Sequence, residues 1–210
     1  MICEKCSFKY RSNPNNNFIM IKIGLTGVIG SGKTTAIKYF SSLGVPVFIA
    51  DESAKKLMTE DEILKSEIIK IIGDKAFVKN KLNTKYISDI IFKDEKLLTS
   101  INKLVHPKVR DEYAKWLKKQ DFNYCVYEAA LIFENESESD FDKIICIKTP
   151  IDEIHRRLES RINYSKNKVD LILNSQIDQD VKCSKSDYCI NNTTFKELEK
   201  KILEIHSLYV

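Results

Sequence analysis

The chain has 210 residues, 43% of them hydrophobic and 30% charged, a length and balance suited to one globular domain with its own core. Its formal net charge is +4, and no block of lysine or arginine is dense enough to argue for nucleic acid or a membrane surface as partner. No apolar run approaches membrane-spanning length and no secretory signal pattern is visible, so a cytoplasmic location is expected.

Residues 1–19 (MICEKCSFKYRSNPNNNFI) are polar, rich in asparagine and without period, which predicts a disordered extension ahead of a single domain at 20–210. Cys3 and Cys6 form a lone C-x-x-C that lacks a second half for a metal site. Cys125 and Cys146 fall inside apolar runs and read as buried thiols. Cys183 and Cys189 lie in a polar region with nothing to complete a metal set.

Residues 21–26 (IKIGLT) form a short apolar run suited to a buried strand, and residues 35–43 carry Ile37, Phe40 and Leu43 at helical spacing. Between them stands GVIGSGKT, residues 27–34, which fits G-x-x-x-x-G-K-[ST] in the strand, loop, helix context that motif requires. Gly27, Gly30 and Gly32 allow turns closed to side chains, so that loop N–H groups, including those of Ser31 and Thr35, converge on phosphate oxygens. Lys33 would reach the β- and γ-phosphates, and the Thr34 hydroxyl would help hold Mg²⁺.

Residues 45–50 (VPVFIA) read as a second buried strand, followed by a helix that Asp51 and Glu52 open. Asp51 thus stands at a strand end, where ligands bind in open α/β sheets, although aspartate is also a favoured helix cap. Residues 61–122 are mostly helical and longer than a simple crossover needs, which predicts a helical substrate lobe. In its clearest part, residues 94–119, Leu97, Ile101, Leu104, Val105 and Val109 share one face. Pro107 should bend or break that helix beside His106, which either touches a substrate or caps the bent backbone.

Residues 124–130 (YCVYEAA) and 143–148 (KIICIK) read as further strands. Glu128 near the end of the first either orients Mg²⁺ through water or sits exposed. The acidic stretch 134–142 reads as a solvated loop. Thr149 and Pro150 supply a cap and a first-position proline to a helix with a stripe of Ile151, Ile154, Leu158 and Ile162. Arg157 and Arg161 project together from its side, either toward phosphate or as a solvated face. The polar stretch 161–175 suits a mobile lid. Residues 187–191 (DYCIN) read as a fifth strand, and 194–209 as a helix with a capping box at Thr194 and Glu197.

Five short strands alternating with helices, with the phosphate loop after the first, predict an α/β fold: a five-stranded parallel sheet with helices on both faces, of the P-loop nucleoside-triphosphate-hydrolase type. A GTPase is disfavoured. NKVD at 167–170 matches N-K-x-D but follows no apolar strand, and no glycine has aspartate three residues before it.

The pieces GLTGVIGSGKTT, LGVPVFIADESAK, LVHP at 104–107, ALIFE at 130–134, TPIDEIHRRLESR at 149–161 and DYCINN at 187–192 resemble the dephospho-CoA kinase family in order and spacing. Departures are Ile49 where the family usually has the first aspartate of D-A-D, Glu128 and Ala130 in place of the aspartate and proline of D-x-P-L-L-F-E, and Asn191 in place of the aspartate of D-N. The resemblance implies transfer of the ATP γ-phosphoryl, with Mg²⁺, to the ribose 3′-hydroxyl of dephospho-CoA. It implies Asp51 as base, Lys33, Arg157 and Arg161 as groups meeting phosphoryl charge, and His106, Glu128 and Glu134 as substrate contacts. The rivals are a small P-loop kinase for a nucleoside, nucleotide or shikimate-like acceptor, and a nucleotide-dependent regulatory protein.

Overall fold

The computed structural model describes residues 20–91, 94–160 and 164–210. The segment 1–19, with Cys3 and Cys6, lies outside the described residues, as do Arg161 and Ile162. Along the chain run β1 (Ile21–Thr26), α1 (Lys33–Ser42), β2 (Val47–Ile49), α2 (Ala50–Glu60), α3 (Glu62–Ile72), β3 (Phe77–Val78), β4 (Lys81–Leu82), α4 (Thr84–Ile91) and α5 (Glu95–Leu117). There follow β5 (Tyr124–Glu128), β6 (Lys143–Lys148), α6 (Ile151–Glu159), α7 (Lys166–Ser175), α8 (Gln179–Lys185), β7 (Tyr188–Asn191) and α9 (Phe195–His206).

The main sheet has five strands in the order β2-β5-β1-β6-β7, and β3 pairs with β4 in a separate antiparallel ribbon. β1 runs parallel to β6 with Ile23 opposite Lys143, and β6 runs parallel to β7 with Cys146 opposite Cys189. Strands covered on both faces must be apolar on both, which is why IKIGLT and KIICIK read as near-continuous apolar runs. Ile23, Leu25, Ile145, Cys146 and Ile147 are wholly buried.

Two compact units divide the described chain. The first holds residues 20–46, 122–126 and 131–210. Here α1 buries Ala36, Ile37 and Phe40, and α9 buries Leu198, Ile202 and Ile205, each large side chain contributing about 1.5–3 kcal/mol of burial free energy. The Tyr124 hydroxyl meets His206 Nδ1 at 2.8 Å. Thr194 caps α9 by accepting from the Glu197 N–H at 3.3 Å, while the Glu197 carboxylate takes the Thr193 hydroxyl instead of closing the box.

The second unit holds residues 47–121 and 127–130. Leu64, Ile68 and Ile72 of α3 and Ile101, Val105 and Val109 of α5 form its core, with Phe48, Tyr113, Trp116 and Tyr127 as an aromatic cluster at its margin. Asp61 caps α3 with one carboxylate oxygen and takes Lys108 Nζ of α5 on the other at 2.8 Å. That bond fixes where α3 starts against α5.

Several expectations need correction. β2 is only three residues long, because Pro46 has no N–H for the ladder and the chain is already helical at Ala50. Ile49 is therefore the residue at the cap of α2, and Asp51 lies inside the first turn with no capping bond. The helix carrying Pro107 does not break: α5 is continuous. Lys103, whose carbonyl loses its donor, is exposed to water, and the buried Ile101, Val105 and Val109 hold the helix on either side of the proline. Thr149 does not cap α6; Pro150 takes the cap position, and the Thr149 hydroxyl is used elsewhere. Glu134 is no solvated loop residue, since its side chain is only 16% exposed and faces a buried lysine. Within the stretch read as a lid, residues 166–175 are helical, and a further helix, α8, follows that the sequence pattern does not announce. Cys183 and Cys189 are joined by a disulfide, a pairing their spacing alone does not suggest. Cys125 and Cys146 are buried thiols outside that disulfide, as expected.

Candidate active site

The phosphate loop joins β1 to α1 in the first unit. Gly32 precedes the helix with φ 103°, in the left-handed region that favours glycine. A Cβ there would come within 2.1 Å of Asn192 Nδ2, and one at Gly27 (φ 149°) within 2.5 Å of the Ile147 carbonyl oxygen. The loop is therefore closed to side chains on its inner wall, as the motif requires. Thr35 and Ala36 both donate their N–H groups to the Gly32 carbonyl, beginning α1. Lys33 Nζ donates to the Gly27 and Val28 carbonyls at 2.9 and 3.2 Å, which folds its ammonium over the loop. The Thr34 hydroxyl belongs to an exposed side chain on the first turn, whereas Ser31 is wholly buried and its Oγ has no hydrogen-bond partner.

What holds this loop was only partly visible in the sequence. The Ser31 carbonyl accepts from the Thr149 hydroxyl at 2.9 Å and from Asn192 Nδ2 at 2.8 Å. Gln179 Oε1 accepts from the Thr149 N–H at 3.1 Å, and Gln176 Oε1 accepts from the Ile29 N–H at 3.0 Å. Thr149 and Asn192 stand in quoted stretches, TPIDEIHRRLESR and DYCINN, but nothing marked Gln176 or Gln179.

Arg157 is built into the same network. Its Nε donates to Glu153 Oε1 at 2.6 Å, its Nη2 to the Asn192 carbonyl at 2.9 Å, and its Nη1 lies 3.6 Å from the point a Gly32 Cβ would occupy. The side chain is 21% exposed, so it is not the solvated helix face offered as an alternative. Glu153 accepts from Arg156 on both carboxylate oxygens and shares Oε1 with Arg157, and those bonds, Arg156 foremost, pull its carboxyl down to about 2. The carboxylate therefore stays charged and holds the guanidinium in place at all ordinary pH.

In the second unit, Asp51 is exposed on the first turn of α2. Glu128, which ends β5, is 6% exposed; the reading that left it in solvent is overturned. His106 is half-buried on α5, and burial first, then the charge of Arg110, lowers its pKa below the ordinary 6.5. It is neutral at pH 7 and can donate from one ring nitrogen and accept at the other.

Among the described residues no group of three or more His, Cys, Asp or Glu side chains could hold a metal ion. Where Mg²⁺ is held mainly by water and substrate phosphates it needs only one or two protein oxygens, and the exposed Thr34 hydroxyl is a hard oxygen donor of that kind.

A glycine loop closed by Gly27 and Gly32, a lysine folded over it and an arginine anchored beside it, on a five-stranded parallel sheet, define a P-loop protein of the kinase class. A family model described as dephospho-CoA kinase matches residues 21–197. A dephospho-CoA kinase of Bacteroides fragilis is 30% identical over 186 residues, covering 88% of this chain and 91% of the relative. A crystal structure of a Thermus thermophilus protein superimposes with a TM-score of 0.81 at 26% identity, over 90% of this chain and 96% of that one. A dephospho-CoA kinase from Campylobacter jejuni gives 0.63 at 26% identity, over 89% and 95%. The chain belongs to the dephospho-CoA kinase family.

Proposed function

We propose that the protein transfers the γ-phosphoryl group of ATP to the ribose 3′-hydroxyl of dephospho-CoA, giving coenzyme A and ADP in the last step of coenzyme A synthesis. The observation that carries this is the family match over residues 21–197, which takes in the loop, Asp51, His106 and Arg157 together. Relatives named for this reaction favour it over a kinase for a nucleoside, nucleotide or shikimate-like acceptor, or a regulatory binding protein.

In this reading the phosphate-loop amides and Lys33 hold the phosphates, and Arg157, with Arg161, meets charge that develops on the transferred group. Mg²⁺, held with the help of the Thr34 hydroxyl, neutralises phosphate charge. Asp51 accepts the proton of the 3′-hydroxyl as its oxygen attacks phosphorus and the bond to the ADP oxygen breaks. His106 and Glu128 contact the acceptor, residues 61–122 form its lobe, and residues 161–175 close as a lid that excludes water. ATP and dephospho-CoA are the partners, with no nucleic acid or membrane; among the described residues no helix is long and apolar enough to cross a membrane. We place the reaction in the cytoplasm.

The test is ADP release measured across a panel of acceptors that includes dephospho-CoA, shikimate and common nucleosides. Turnover should require dephospho-CoA. Turnover with water alone, or faster turnover with another alcohol, would overturn the reading.

A further inference from the structure

Glu134 closes the ALIFE stretch, where the family resemblance implies a substrate contact. Its Oε1 instead accepts from Lys182 Nζ at 2.7 Å and from the Ile177 N–H at 2.9 Å. Lys182 is wholly buried, and Glu134 Oε2 is buried without a hydrogen-bond partner. Such a pair adds little to stability, because desolvating both charges offsets most of their attraction and apolar residues of equal volume often do as well. What it does supply is register. One oxygen gathers residue 177 and residue 182, and so fixes the intervening turn into α8.

Gln179 of the loop network lies in that turn, and Gln176 immediately precedes its first clamped residue. Gln176 holds the Ile29 N–H on one limb of the phosphate loop. Gln179, itself nearly buried, holds the Thr149 N–H, and the Thr149 hydroxyl holds the Ser31 carbonyl on the other limb. A glutamine on a loose segment would lose much side-chain entropy in making either bond; on a segment already fixed that cost is met in folding. Phosphate affinity depends on loop amides that are oriented before the anion arrives.

We propose that the buried Glu134–Lys182 pair is a positioning element for the phosphate loop, acting through Gln176 and Gln179, and that Glu134 makes no contact with the acceptor. The inference rests on the nucleotide-binding reading of the loop and is independent of which alcohol is phosphorylated, so it is tested by ADP binding with no acceptor present.

Calorimetric titration of ADP into Gln176→Ala/Gln179→Ala should give a Kd raised about tenfold, on the scale of two lost hydrogen bonds. The KM for ATP should rise similarly, with the KM for dephospho-CoA within twofold of the parent. Lys182→Met should weaken ADP at least as much, since it strands a buried carboxylate. Adding Glu134→Gln should restore most of the affinity, because the new side-chain amide oxygen can still accept from the Ile177 N–H. ADP affinity equal to the parent's in the double-glutamine variant would overturn the proposal, and that variant keeps the test decisive if Lys182→Met does not fold. A Glu134→Gln/Lys182→Met protein that binds ADP normally but has a KM for dephospho-CoA raised tenfold would return Glu134 to the acceptor.

Discussion

Asp51 shows how a structure separates two roles that one sequence position allows. Aspartate before a helix is a favoured cap, and the alternative to catalysis was that Asp51 does no more than cap. The chain is already helical at Ala50, so Asp51 sits inside the first turn of α2 and caps nothing. Its remaining structural contribution is a favourable interaction with the helix dipole, about 0.3–1 kcal/mol for an exposed carboxylate. Asp51→Asn should therefore lower stability by no more than about 1 kcal/mol and leave ADP affinity unchanged. Turnover of dephospho-CoA should fall about 10²–10⁴-fold, the usual cost of a lost general base. A variant within a few-fold of the parent in kcat would remove Asp51 from the chemistry.

At the scale of elements, the helix that continues through its proline gives the sharpest check. Pro107 removes one donor from α5 yet the helix continues, and Pro107 is itself exposed. Pro107→Ala should restore the bond to the Lys103 carbonyl and stabilise the protein by about 1–3 kcal/mol, read as a higher melting temperature. A lower one would mean that the second unit needs the backbone shape the proline imposes. The same continuity marks a limit of the sequence: a proline predicts what is lost locally, while the apolar contacts of Ile101, Val105 and Val109 that override it are made to other elements. β1, β6 and the phosphate loop were legible because each is specified by contiguous residues. α8 was not, because its buried residues are Gln179 and Lys182, and hydrophobic periodicity cannot reveal a helix whose inner face is polar. The site divided in the same way. Lys33 and Thr34 lie inside a local motif, whereas Thr149, Gln176 and Asn192 reach the loop across more than a hundred residues, a relation that exists only once the chain is folded.

For the whole molecule, the perturbed groups together set a window of stability. Glu153 is held near 2 against an ordinary 4.5 by Arg156 and Arg157, and Asp61 is lowered by its bond from Lys108. Groups lowered in this way contribute stability above the unfolded pKa, and lose it as pH falls from about 4.5 toward the folded value. His106 is lowered too, by burial, so below the ordinary 6.5 the unfolded chain takes up its proton first and the folded state loses ground from there downward. On the alkaline side burial pushes the Cys146 thiol up to about 11 from 9.0, and raises the Tyr124 hydroxyl well above its ordinary 10.0. Raised groups contribute stability below the unfolded pKa and lose it as pH climbs to the folded one, so unfolding is favoured progressively above about pH 9. The melting temperature should thus be flat between about pH 7 and 8.5, falling on both sides. Cys146→Ala will melt lower throughout, because it leaves a small cavity, but its decline between about pH 9 and 11 should be shallower than the parent's. Parallel alkaline limbs for the two proteins would show that the Cys146 thiol is not held neutral by the fold.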